Sequence, residues 1–206
     1  MALLIVTLGI LLFLGIHLIP MMPSWRASLV AAVGAGPYKG IFTLLALLGL
    51  FGAIYAYRYT SHHYLWPSPP SVRALTVVLM FASILCFACA KGVPWFKRIV
   101  RHPMLWGIGL LGIAHLLSNG EVAGLILFGG LAVFGFAWQL LTDRRDAEVD
   151  PEGWAETERT TSLVPFAHWR AGTAPITVRP ILIGVAVYVA LILLHPWLFG
   201  APVIPW

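Results

Sequence analysis

Charged residues are scarce in this chain. Asp, Glu, Lys and Arg make up 10% of its 206 residues and hydrophobic residues 60%, whereas soluble domains contain about 25% charged residues. A soluble fold could not bury this much apolar surface. The formal net charge of +5 is explained by basic residues beside membrane spans rather than by nucleic-acid binding. We therefore expect membrane lipid as the surroundings and no nucleic-acid partner.

Cysteine is equally scarce. Cys86 and Cys89 are the two cysteines of the sequence, and they lie three residues apart within an apolar stretch. Two thiols cannot supply a zinc or iron–sulfur site made of four cysteines. A thioredoxin-like CxxC would need a βαβ context that is missing here. We interpret both as small packing residues.

Long apolar runs dominate the chain instead. Six uncharged stretches cover residues 2–19, 41–57, 74–90, 104–117, 122–141 and 181–198. About 20 apolar residues cross a hydrocarbon core of about 30 Å. The sequence therefore predicts an all-α, polytopic membrane bundle of about six transmembrane helices, forming a single integral-membrane domain over residues 1–206. The fourth stretch is short and needs its flanks or a tilt to span.

Basic residues indicate the orientation. Six crossings place both termini on the same side as residues 58–73 and 118–121; that side has two Lys and Arg residues, against eleven on the other. The positive-inside rule assigns the basic side to the cytoplasm, so we expect both termini outside and a location in a bacterial inner membrane. Residues 142–179 are expected to form a cytoplasmic loop, in which segment 163–170 rests on the membrane surface or covers a cavity.

Two local motifs favour structural roles. The turn at 118–120 predicts an antiparallel hairpin, and Glu121 after it suits the positive end of the next helix dipole. Gly107, Gly109 and Gly112 match GxGxxG, but they lie within an apolar helix rather than after a strand. Small residues in such a helix allow close helix packing.

The histidines are the most informative residues for function. His17, His115 and His195 lie within apolar stretches, and His102 begins one. An ionisable group in the membrane is a functional hypothesis by default, because its burial must be compensated. Neutral imidazole is a ligand for haem iron. The alternative is that each imidazole hydrogen-bonds a neighbouring helix.

These motifs resemble those of the NnrU family, whose relatives include the plant and cyanobacterial 15-cis-zeta-carotene isomerases. The resemblance covers nearly the whole chain and is most specific in the RHP triplet and the HLxxNG segment after it. The matching residues are Gly15, His17, Gly36, Tyr38, Gly40, Arg101, His102, Pro103, Gly107, His115, Leu116, Asn119, Gly120, Phe128, Gly129, Gly130, Thr161, Ser162, Pro165, Phe166, His195, Phe199 and Gly200.

The resemblance implies a multi-pass protein associated with denitrification, with nitrite and nitric oxide reductase systems as partners. In the isomerase branch it implies haem b, isomerisation of a carotenoid double bond, and axial ligands at His17 and His115. We therefore expect a haem b-binding inner-membrane protein that supports or regulates nitrite and nitric oxide reduction. The alternative is an enzyme, a haem-dependent cis–trans isomerase whose apolar polyene substrate enters from lipid.

Two further functions stay open. The RHP segment is similar to the cofactor end of membrane methyltransferases, whose helix N-terminus can hold a carboxylate or an adenosyl group. A membrane subunit that scaffolds a reductase would need no cofactor. No catalytic residue is assigned.

The expected depths of the histidines in the membrane do not decide which two of them would bind one haem iron. His17 is expected near the cytoplasmic end of the first helix, whereas His115 lies about 20 Å beyond His102 along the fourth. Either the helices tilt or break so that His17 and His115 share one iron, or the pairs match in depth, His17 with His102 and His115 with His195. We place His17 and His115 first, with His102 as the substitute.

Haem propionates would need cations. On the cytoplasmic side, Arg26, Lys39 and Arg101 are positioned to supply them. Such charge-assisted hydrogen bonds to carboxylates are stronger than neutral ones, so these three residues are predicted to contribute to haem retention.

Overall fold

The computed structural model describes residues 1–61, 63–168, 175–200 and 203. Helices account for most of these residues, and apart from an isolated bridge between Tyr64 and Glu121 no β-pairing occurs among them. The α-helices are α1 (Ala2–Leu18), α2 (Pro23–Val33), α3 (Ala35–Tyr57), α4 (Pro70–Ala88), α5 (Pro103–Ser118), α6 (Val122–Val149), α7 (Pro151–Thr160) and α8 (Arg179–Phe199).

The six predicted apolar helices are α1, α3, α4, α5, α6 and α8. Five of them are long and apolar enough to cross a membrane, while α5 is a shorter apolar helix of 16 residues, about 24 Å long at 1.5 Å per residue. The predicted all-α membrane bundle is confirmed. The orientation of its termini stays a prediction.

Three helical segments differ from the prediction. α2 forms between the first two predicted apolar stretches, and Pro23 occupies its first turn, which needs no amide hydrogen. Gly34 then ends α2 with φ +86°. α6 continues eight residues past 141 to Val149, and α7 follows from the cap that Asp150 provides to the Gly153 amide. The predicted loop 142–179 is therefore largely helical up to residue 160.

The six apolar helices stand side by side in the order α3, α1, α6, α5, α4 and α8. Each of these neighbours runs antiparallel to the next, except that α1 and α6 are parallel, as the contacts Ile10–Gly130 and Phe13–Phe134 show. The bundle thus has an N-terminal end, with the starts of α1, α4 and α6, and a basic end, with the starts of α3, α5 and α8. α8 packs mainly on α4.

Glycines set the closest helix contacts. A Cβ on Gly112 would lie 2.5 Å from the Ala132 amide nitrogen, and a Cβ on Gly109 would lie 2.7 Å from the Phe136 ring. Gly107 faces the ring of Phe87 on α4 in the same way. The prediction that GxGxxG serves helix packing is confirmed.

The two cysteines lie in an apolar cluster at the basic end. Cys86 and Cys89 are free, buried thiols that pack with Val93, Trp95 and Val100. Their predicted role as small packing residues is confirmed. This cluster ties the end of α4 to the segment that leads into α5.

The segment that follows α7, residues 161–168, packs over the start of α5. The Arg101 amide donates to the Ser162 carbonyl at 2.7 Å, and the Phe166 amide donates to the Ile99 carbonyl at 2.9 Å. Of the segment predicted to be interfacial, residues 163–168 run past this end of the bundle, and Trp169 and Arg170 lie outside the described residues.

Candidate functional site

His115 lies on α5 with its ring stacked on Phe128 of α6, the ring centroids being 4.8 Å apart and the planes 24° apart. Its Nδ1 is 3.0 Å from the Leu111 carbonyl oxygen. A carbonyl can only accept, so Nδ1 carries the proton and Nε2 keeps its lone pair. Metal-bound histidines are commonly oriented in this way, with the other ring nitrogen donating to a carbonyl.

His195 of α8 is the imidazole that lies at the same end of the bundle as His115. Each residue is in the last turns of its helix, and α5 and α8 both end at the N-terminal end. The His195 ring packs on Phe199 with centroids 4.8 Å apart. Both imidazoles are partly buried. They belong to helices that both pack on α4.

His17 lies in an aromatic cluster of its own. Its ring packs against Phe42 and Phe134 with centroids 5.1 and 4.8 Å away, and its Nδ1 donates to the Phe13 carbonyl at 2.7 Å. Phe134 is six residues beyond Phe128 on α6, a rise of about 9 Å.

This rise separates His17 from His115. Nitrogens that share one metal lie about 4 Å apart, because each bond is about 2 Å. Between Phe128 and Phe134 on α6 lies the buried Leu131, which belongs to the same apolar cluster as Leu14 and Leu111. The structure therefore does not bring His17 and His115 together around one centre.

His102 and Arg101 are held by one carboxylate at the basic end. Asp143 accepts from Arg101 Nη1 at 2.5 Å and lies 2.5 Å from His102 Nε2. Arg101 also donates to Thr161 Oγ1 at 3.0 Å, and its guanidinium carbon lies 4.7 Å from the Trp154 ring centroid. Both side chains are thus engaged in a local network, away from His115 and His17.

Arg26 and Lys39 lie together at the same end but apart from Arg101. They line one pocket between α2 and the start of α3. The three cations predicted to serve one haem are therefore divided between two places.

The donor set at His115 fits a haem better than a bare metal ion. A metal without a porphyrin takes four or more ligands in most protein sites, and no group of three His, Cys, Asp or Glu that could hold one occurs in the described ranges. A haem needs one or two imidazoles in apolar surroundings, which are what His115 and His195 supply.

The NnrU family model matches residues 5–203. The chain belongs to the NnrU family. The match spans all the spanning helices and every histidine described above. No curated protein and no solved structure shows a significant match.

Two partners in this NnrU-family chain, Asp143 and Phe128, were not predicted as site residues. Asp143 falls at the start of the predicted cytoplasmic loop, residues 142–179. The turn at 118–120 could have predicted the pairing of Asp143 with His102. The two helices on either side of it are antiparallel, so position 102 lies near position 143. The position of the turn thus predicts the level of each residue along the bundle. It does not predict helix rotation, and so it does not show that Phe128 faces α5.

A second polar group closes the N-terminal end beside His115. Glu121 is 3% exposed and precedes α6, as the dipole interpretation requires, and it accepts a hydrogen bond from the Tyr57 hydroxyl. The Tyr57 ring meets Phe128 edge-on, 5.5 Å away. Tyr57 thereby connects α3 to the α6 face on which His115 stacks.

Replacing Tyr57 with Phe is expected to destabilise the protein by about 1–2 kcal/mol, because a buried carboxylate loses a donor while the ring packing is kept. Thermal unfolding in detergent measures the change. Tyr59→Phe is the matched control, since within the described part of the chain the Tyr59 hydroxyl donates to the Tyr55 hydroxyl on the exposed surface. Equal melting temperatures for the two variants would contradict a structural role for the Tyr57 hydroxyl.

Proposed function

We propose that this protein binds haem b through His115, with His195 as a second ligand, and that it supports or regulates nitrite and nitric oxide reduction in a bacterial inner membrane. The observation that carries the first part is the His115 imidazole, which stacks on Phe128 with its Nδ1 bonded to the Leu111 carbonyl. His195 is chosen because it lies in the last turns of α8, at the same end of the bundle as His115. Support for the second part comes from family membership and from the resemblance described above.

The residues around His115 would orient the ligand. The Leu111 carbonyl holds the Nδ1 proton, so Nε2 is directed away from α5's own backbone, and Phe128 fixes the plane of the ring. When bound, a haem supplies an iron that exchanges one electron and binds diatomic gases. His195 is followed by Pro196 within α8, which cannot donate to the preceding turn and so loosens the helix there.

Absorbance spectra of the purified protein test the haem proposal. We expect a Soret band in the wild type and at least about tenfold weaker haem retention in His115→Ala, which is about 1.4 kcal/mol of binding energy. His195→Ala is expected to keep haem but to change it from a six-coordinate to a five-coordinate spectrum. His63→Ala, at an exposed imidazole, is the matched control and should resemble the wild type.

Two measurements keep this test decisive. Added imidazole should restore the band of His115→Ala if the variant is folded and lacks only its ligand. A wild type without a Soret band after expression with excess haem would overturn the proposal. Loss of haem from His17→Ala, together with an unchanged six-coordinate spectrum in His195→Ala, would overturn the choice of His195 and favour the pairing of His17 with His115.

The physiological part is tested separately. Removing the gene from its native host should slow the consumption of nitrite and nitric oxide, and the wild-type gene should restore both rates. A His115→Ala copy should fail to restore them. Unchanged nitrogen-oxide consumption in the deletion strain would contradict the proposed role even if haem is bound.

A further inference from the structure

A pocket opens at the basic end, between the turn after α1, the helix α2 and the first turns of α3. Its volume is about 270 Å³. Drug-sized ligands usually occupy about 300–1,000 Å³, so this pocket suits a small polar head group. Its lining residues are Pro20, Arg26, Tyr38, Lys39, Phe42 and Thr43.

The pocket carries two positive charges, and no carboxylate from the residues that the structure describes lines it. Two acidic residues of α6 at this end, Asp143 and Asp146, are paired with Arg101 and Arg145. Among the described residues, no ion pair involves Arg26 or Lys39. The Arg26 guanidinium carbon lies instead over the Tyr38 ring, 5.9 Å from its centroid.

The Tyr38 hydroxyl is an unpaired hydrogen-bond donor beside the two cations. It is buried and has no hydrogen-bond partner among the described residues, although burying an unpaired hydroxyl is unfavourable. Tyr38 also lies in the first turn of α3, where the helix dipole favours an anion. An oxygen-rich anion in the pocket would accept from this hydroxyl and neutralise both cations.

The pocket lies at the edge of an apolar surface. Exposed apolar side chains continue from it along α2, at Leu29 and Val33, and along α3, at Ile41 and Leu44. Trp25, which is 61% exposed, stands beside Arg26 on α2, and tryptophan favours the membrane–water interface. A head group in the pocket would therefore leave its apolar body against these surfaces.

We propose that this pocket binds the phosphate of an anionic phospholipid, with Arg26 and Lys39 as counter-ions and the Tyr38 hydroxyl as a donor. Free phosphate shares the head-group chemistry but has no apolar body for α2 and α3 to contact. The site is separate from His115, so it does not depend on haem binding.

Lipid-dependent stabilisation tests this inference. Phosphatidylglycerol is titrated into the delipidated, detergent-purified protein while the melting temperature is recorded, with phosphatidylcholine of the same chains and inorganic phosphate as separate titrations. We expect stabilisation by phosphatidylglycerol alone. The apparent dissociation constant should rise about tenfold in Arg26→Gln/Lys39→Gln, since two charge-assisted contacts are lost, and by a smaller factor in Tyr38→Phe.

The control removes the same charge elsewhere. Arg58→Gln/Arg73→Gln changes two exposed cations at the N-terminal end and should leave phosphatidylglycerol binding as in the wild type. Equal weakening in both double variants would overturn the pocket in favour of general charge attraction. Equal stabilisation by inorganic phosphate would overturn the lipid in favour of a free anion, and loss of the Soret band from Arg26→Gln/Lys39→Gln would overturn it in favour of haem carboxylates.

Discussion

Asp143→Ala is expected to destabilise the protein by about 3–5 kcal/mol, the usual effect of removing one partner from a buried ion pair. The Arg101 side chain is 8% exposed and Asp143 14% exposed, so the guanidinium would be left with little access to water. The variant should melt at a markedly lower temperature in detergent.

The same carboxylate also determines how the basic end is assembled. Asp143 on α6 joins Arg101 and His102 at the start of α5, and Arg101 in turn bonds to Thr161 after α7. Without the carboxylate, the chain around residues 161–168 should separate from α5. Limited proteolysis is expected to cut this segment faster in Asp143→Ala than in the wild type.

Asp146→Ala is the matched control on the same helix. Asp146 is 42% exposed and pairs with its neighbour Arg145, and exposed pairs of this kind contribute at most about 1 kcal/mol. If Asp143→Ala were as stable and as resistant to protease as Asp146→Ala, the Asp143 network would have no structural role.

The spanning helices could be predicted from sequence because a segment that crosses a membrane must be apolar and long enough, and both properties can be read from the sequence. Lipid excludes charge over about 20 residues whatever the tertiary contacts are, so α1, α3, α4, α6 and α8 are visible as uncharged runs. α2 and α7 could not be found in this way. They lie outside the apolar runs, and each begins at a proline, Pro23 or Pro151, that occupies the first turn of its helix.

The candidate site was only partly predictable. A histidine within an apolar stretch can be recognised from the sequence as a candidate site residue, because the free-energy cost of burying it must be compensated by a partner. Their partners depend on helix order and rotation, which composition does not contain. His195 lies at the same end of the bundle as His115 because α8 packs on α4. The separation of His17 from His115 becomes visible only when both are placed along α6, near Phe134 and Phe128.

Gly135→Ala is expected to destabilise the protein by about 3 kcal/mol, at the upper end of the range for overpacking. A Cβ on Gly135 would meet the backbone nitrogen and Cα of Gly109, and it would lie 2.6 Å from the Leu105 carbonyl oxygen. Backbone atoms cannot move away by a change of rotamer. The two helices must therefore separate along the hairpin.

Gly129→Ala, six residues earlier on α6, should have the opposite sign. Its Cβ would make only an ordinary contact with Leu125 at 3.6 Å, and alanine is favoured over glycine in helix interiors by about 1 kcal/mol. Thermal unfolding of both variants gives the comparison, and a Gly135→Ala protein as stable as Gly129→Ala would refute close α5–α6 contact at this point.

The α5–α6 contact also bears on the cofactor. His115 and Phe128 face each other across the same hairpin, so separating α5 from α6 at Gly135 should weaken haem retention without touching a ligand. Gly129→Ala should retain haem as the wild type does. Haem retention that fell in Gly129→Ala instead would mean that the open space beside Gly129, rather than the register of α5 on α6, accommodates the porphyrin.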